Sequence, residues 1–188
     1  MSGKKKRLLT KGNVIKTNPQ QGFWGCAVVL SQREKTEDSV PMCHIAITPV
    51  IFRHDYEFSE LNLATLSVLE FERFYRLRPN EEFSKTETAI GVYVRAVDDA
   101  TSNIGNVDTS HIYDGPLPFE PWADLEVKYP LCGDVKKWLG GEAVTAWRRI
   151  NDKEALDDEI IEANRSQAEL MAQIAEQDRL RRNRNQKA

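Results

Sequence analysis

The sequence predicts an α+β protein: a strongly bent antiparallel sheet or small barrel over about residues 11–130, then helical material from about residue 143. Two observations carry this. Runs rich in β-branched and aromatic residues, separated by Gly and Pro turns, fill the first hundred residues. From residue 152 to 188 there is neither Gly nor Pro, and apolar residues recur at helical spacing. The 188 residues suit one domain with an appendage, and a content of 40% hydrophobic and 29% charged residues is enough to bury a core. The expected organisation is a disordered basic arm over 1–10, a β-rich domain over 11–150, and a C-terminal amphipathic helix with a frayed end over 151–188.

The elements follow in order. Lys11 to Thr17 reads as a first strand, and Asn18-Pro19-Gln20-Gln21-Gly22 as a turn, because Pro fixes φ and Gly admits positive φ. Phe23 to Leu30 is a second strand, making a hairpin with the first. Gly22 and Gly25 bracket Phe23-Trp24, which predicts a bend or bulge where backbone approaches closely. Residues 31–40 are polar and read as a loop. Met42 to Phe52 is a third extended segment, but Pro49 interrupts it, so it reads as an edge strand or as two strands joined by a kink. From Ser59 to Arg76 the apolar residues follow no single period; a short helix over 59–65 is expected, and the rest stays open between helix and strand. Ala89 to Val97 alternates and is β-branched, hence a strand, with a loop over 98–106. The prolines of Gly115 to Trp122 make a rigid extended connection that packs Phe119 and Trp122. Ala143 to Ile150 is a short helix.

The last segment is the clearest. Asn151-Asp-Lys-Glu154 resembles a helix-start box. Leu156, Ile160, Ala163, Gln167, Leu170 and Ile174 then fall at alternating spacings of four and three on one helical face. A lone helix this polar is marginal in water, so it must dock, pair or fray. That offers a second reading of the chain, as a module that docks or forms a homo-oligomer through this helix.

Composition narrows the function classes. No run approaches the length of a membrane span. The basic start, Lys4 to Arg7, has no apolar segment after it, so no secretory signal is expected. Three cysteines without a Cys-x-x-Cys fit a reducing compartment, and a cytoplasmic location is expected. The charge is uneven: residues 57–126 carry 14 acids and five bases, whereas residues 1–56 carry a net +5. The acidic middle third argues against nucleic acid as partner. Its plain reading is a well-solvated face; as a docking face it suits a basic protein surface, and Glu87, Asp98, Asp99, Asp108 and Asp114 are then the expected partner-binding residues. The basic arm leaves an RNA-binding small barrel as a weaker alternative.

Local chemistry is sparse. His44, His54 and His111 have no chelating spacing, and Cys43 and His44, being neighbours on a strand, point to opposite faces, so no metal site is expected. Cys26 lies in an apolar strand, the setting of a buried inert thiol. Gly140-Gly141 lacks the Lys-Ser/Thr of a phosphate loop. Neither catalysis nor a cofactor is expected.

Lys11-Gly12-Asn13-Val14-Ile15-Lys16, the turn at Gly22, and Phe23-Trp24-Gly25-Cys26-Ala27-Val28-Val29-Leu30 resemble the opening of the bacterial immunity protein 26 family: a Gly-hydrophobic strand, then a Gly-aromatic-Gly/Ala strand ending in small apolar residues. Ile90-Gly91-Val92-Tyr93 also sits where such proteins have a strand. The resemblance covers about residues 10–125, and the long C-terminal helix departs from it. It implies an SH3-like domain that binds and neutralises a cognate toxin of a polymorphic toxin system, for example a basic nuclease. It carries over no catalytic residues.

Overall fold

The computed structural model describes residues 7–34, 41–78, 81–97, 103–118 and 139–185. The strands are β1 (Arg7–Leu8), β2 (Asn13–Gln20), β3 (Phe23–Arg33), β4 (Met42–Phe52), β5 (Glu70–Arg78), β6 (Glu81–Thr88), β7 (Ile90–Val94), β8 (Ala96–Val97) and β9 (Asn103–Asn106). The helices are α1 (Gly141–Asn151) and α2 (Lys153–Asn185). Between Trp147 and Arg148 the chain divides into two compact units.

The centre of the first unit is an antiparallel sheet in the order β7-β4-β3-β2-β9, with β5–β6 and β1–β8 as two-stranded additions. The sheet is bent but does not close into a barrel. The run from Glu81 to Val97 changes partner twice and joins the three sheets. β6 pairs with β5, β7 with β4, and β8 with β1. At the first change, Ala89 donates to Leu69 and accepts from Ile47, each at 2.8 Å, while Leu69 N–H donates to Ile47 at 2.8 Å. At the second, Arg95 N–H donates to Pro41 and its carbonyl accepts from Leu9, while its buried guanidinium donates to the Leu9 carbonyl at 2.6 Å. Backbone groups freed by each bend are thus paired again.

Both faces of the sheet are covered. Ile15, Ala27, Val29, Cys43, Ile45 and Ile47 pack on one side with Leu9, Leu69, Leu139 and Ala143. Val14, Cys26, Val28, Leu30 and Ala46 pack on the other with Tyr56, Leu61, Leu66, Val107 and Ile112. The alternation of side chains along a strand produces this sorting. Coverage on both faces explains why Cys26–Leu30 reads as an unbroken apolar run rather than an alternating one.

The expected hairpin is β2–β3, with Gln20 opposite Phe23 across a two-residue turn. Gly25 permits the close approach predicted for it: a Cβ there would come within 2.7 Å of Thr17 Oγ1. Trp24 is partly buried and packs with the second core cluster. Phe23 meets Trp147 edge-on at 5.7 Å, and the Arg53 guanidinium lies 3.9 Å from the Phe23 ring centre.

Several expectations change. Residues 7–10, expected at the end of a disordered arm, are placed: β1 pairs with β8, and Leu9 is buried. Pro49 neither ends nor splits β4. It sits in a bulge where the register moves from Gly25↔Ile51 to Ala27↔Ile47. β7 pairs with β4 only over Met42–Ala46, so the missing N–H costs no bond on that side. Thr48 Oγ1 donates to the Cys26 carbonyl at 2.9 Å inside the bulge.

The expected helix over 59–65 is two 3₁₀ turns, Phe58–Glu60 and Leu63–Thr65, and the open stretch after it becomes β5. β6 and β9 were not anticipated. Arg95 breaks the 89–97 strand. The short helix is α1, and the long one runs as far as Asn185, into the segment expected to fray. Phe119, Trp122, Cys132, Asp98 and Asp99 lie outside the described residues. Among the described residues, no helix is long and apolar enough to cross a membrane.

Candidate partner-binding site

The turn after β9 stands between two cavities. Val107, Thr109 and Ile112 are buried and anchor it, and Ile112 N–H donates to the Thr109 carbonyl at 3.1 Å. Asp108 caps the turn: its carboxylate accepts from the Ser110 N–H at 3.0 Å and from the Ser110 hydroxyl at 2.7 Å. These two bonds hold the Asp108 carboxyl below its ordinary range. His111 Nε2 donates to the Leu63 carbonyl at 3.0 Å, tying the turn to the second 3₁₀ segment. Tyr113 hydroxyl donates to the Pro116 carbonyl at 3.1 Å.

On one side of this turn is a cavity of about 620 Å³. It is lined by the apolar Pro49, Val68, Leu69 and Ile112 and by the polar Glu70, Asp114, His111 and Ser110. On the other side is a cavity of about 350 Å³ that includes Lys11, Leu30 and Ser31. Ser110, Tyr113 and Asp114 line both. Among the described residues that line the larger cavity there is neither lysine nor arginine, and His111 stands beside its two carboxylates, Glu70 and Asp114. Such a wall attracts cationic groups and repels phosphates.

The expected acidic residues are dispersed. Asp114 stands between the two cavities. Asp108 is exposed but occupied in holding the turn. Glu87 is opposite Phe71 and forms an ion pair with Arg73 at 3.1 Å. On a strand it points away from the side that its neighbour Thr88 lends to the cavity. Glu70, paired with Thr88, faces the cavity instead. Sequence reading missed Glu70 because the irregular apolar spacing of 61–74 hid the strand whose period would have marked it.

The other chemically capable groups are engaged in packing. His44 is fully buried; its Nε2 donates to the Pro118 carbonyl at 2.6 Å, which leaves Nδ1 to accept from the Ser31 hydroxyl at 2.7 Å. The ring so ties β3 and β4 to the 115–118 segment. As expected from the strand period, Cys43 lies on the opposite face, in the first core cluster. Burial pushes the Cys26 thiol up to about 11 and the Cys43 thiol up to about 12, so both stay protonated near neutrality. Among the described residues, no group of three His, Cys, Asp or Glu side chains is placed to hold a metal ion.

Compared with known proteins, the chain has no significant match among family models, curated proteins or solved structures.

Proposed function

We propose that this chain is a cytoplasmic immunity protein, one that binds and neutralises a cognate bacterial toxin and performs no reaction itself. The observation that carries the reading is the cleft beside the 108–114 turn: about 620 Å³, lined by Glu70 and Asp114 together with Pro49, Val68, Leu69 and Ile112, with no lysine or arginine among its described lining residues. A protein partner uses such a cleft by inserting a basic side chain, whose stem lies on Pro49, Val68 and Ile112 while its charge meets the carboxylates. A toxin with a basic, phosphate-binding surface, such as a nuclease, has the complementary charge. The resemblance of residues 10–125 to the immunity protein 26 family supports the toxin as partner.

The test is to purify the product of a toxin-like gene adjacent to this one and measure binding and protection. A complex at low salt, weakened by Glu70→Lys with Asp114→Lys, is expected. A folded chain that neither binds nor protects against that product would overturn the reading.

A further inference from the structure

α2 is 33 residues long, about 50 Å. Among its described side chains, five large apolar ones stand in water: Ile160, Ile161, Leu170, Met171 and Ile174, each 44–65% exposed. In the usual seven-letter notation, Leu156, Ala163 and Leu170 take position d, and Ile160, Gln167 and Ile174 take position a. Ile161 lies off this stripe. Leu156 is buried, so the open part runs from Ile160 to Ile174, about 21 Å along the axis.

We propose that this stripe is covered by the same stripe of a second copy of the chain, in a parallel, in-register, two-stranded coiled coil. Three features select this occupant. Isoleucine at a with leucine at d favours two parallel strands, and the open stripe has isoleucine at two of its three a positions and leucine at one of its two d positions. The single polar a position, Gln167, is matched in a self-pair only when the two helices run parallel and in register, where the two amides meet each other. Any shift sets Gln167 against Ile160, Ala163, Leu170 or Ile174. The flanking positions also tolerate the self-pair. Across it Glu159 faces Asn164 and Ser166 faces Met171, so no like charges oppose one another, and Met171 extends the apolar seam. The stripe is short and holds one alanine, so the dimer is concentration-dependent.

This inference is independent of the toxin reading and is tested without a toxin. Sedimentation equilibrium of the full chain should give the monomer mass of 21.5 kDa when dilute and twice that mass as the subunit concentration rises toward about millimolar. Leu170→Lys with Ile174→Lys, both at exposed positions, should hold the mass at the monomer value, with circular dichroism confirming that the β unit remains folded. Ile174→Cys in a Cys132→Ser background should then crosslink to itself under mild oxidation. A monomer at every concentration overturns the proposal, as does a dimer indifferent to the paired lysines. A dimer that forms without self-crosslinking at residue 174 overturns the parallel register.

Discussion

Arg148 grips Glu159 with both arms of its guanidinium, Nη1 to Oε2 at 2.7 Å and Nη2 to Oε1 at 2.8 Å, while its Nε donates to Asp152 at 3.2 Å. One nearly buried side chain thus spans the junction at Asp152 where α1 passes into α2. Planar fork geometry is what makes this arginine hard to replace. Arg148→Met should loosen the junction, seen as faster amide exchange over residues 150–160, and Arg148→Lys should recover only part of the protection. The Arg148 hydrogen bonds hold the Glu159 carboxyl below its ordinary value of 4.5. A depressed carboxylate stabilises above its ordinary value and ceases to do so as pH falls through the folded one. The difference between wild type and Arg148→Met should therefore shrink below about pH 4.5. An unchanged difference in acid would show that the ion pair is not what holds the junction.

Tyr56 is fully buried, stacks on Phe52 at 4.4 Å between ring centres, and donates its hydroxyl to the Gly25 carbonyl at 2.9 Å. Tyr56→Phe keeps the stack and removes the donor. Leaving a buried acceptor unpaired costs about 1–3 kcal/mol, so the variant should unfold at lower urea concentration with an unchanged slope. A loss below about 0.5 kcal/mol would mean that the carbonyl finds another donor.

The buried thiols predict an alkaline limb of instability. Cys43, raised to about 12 by burial, keeps its proton in the folded chain after the unfolded chain has lost it near 9. Such a group favours folding below pH 9 and progressively less as pH rises toward the folded value. Cys43→Ala should be less stable than wild type at pH 7 because it leaves a cavity. The gap between the two should narrow from pH 9 upward. Ellman's reagent should leave Cys26 and Cys43 unmodified at pH 8 until the chain is unfolded. Rapid labelling of either in the native chain would contradict the burial on which this rests.

What was legible in the sequence was whatever a local signal encodes. The β2–β3 hairpin followed from Gly22 and the β-branched run after it, although Asn18-Pro19-Gln20, expected in the turn, belong to β2, where the register shifts between Thr17 and Gln20; α2 followed from its period and its freedom from Gly and Pro. Local patterns failed where long-range pairing decides conformation. Pro49 looked like an interruption because its tolerance depends on a bulge that Thr48 closes onto Cys26 of β3, a residue that no window around residue 49 contains. β9, Asn-Ile-Gly-Asn, has little strand propensity and exists because Asn13 and Val14 of β2 offer it a ladder. The candidate cleft depended on the same kind of distant meeting. Asp114 was visible as an acid in an acidic stretch, but that it lines the same cavity as Glu70 depends on the fold setting the 110–114 turn beside the start of β5.

The cleft makes that distinction measurable. Glu70 and Asp114 face the 620 Å³ cavity, whereas Glu87 sits on the other side of its strand, paired with Arg73. An average acidic surface would respond alike to reversing any of the three, since long-range steering counts net charge. A cleft that receives a basic side chain would not. On the proposed function, Glu70→Lys and Asp114→Lys should each raise the dissociation rate from the proposed toxin partner about tenfold or more, because the inserted charge then meets a like charge at short range. Glu87→Lys should change mainly the association rate, by less, and only at low salt. Rates measured by surface plasmon resonance at two salt concentrations separate these outcomes. Equal effects for all three residues, confined to association, would mean that the partner senses the acidic surface without entering the cleft.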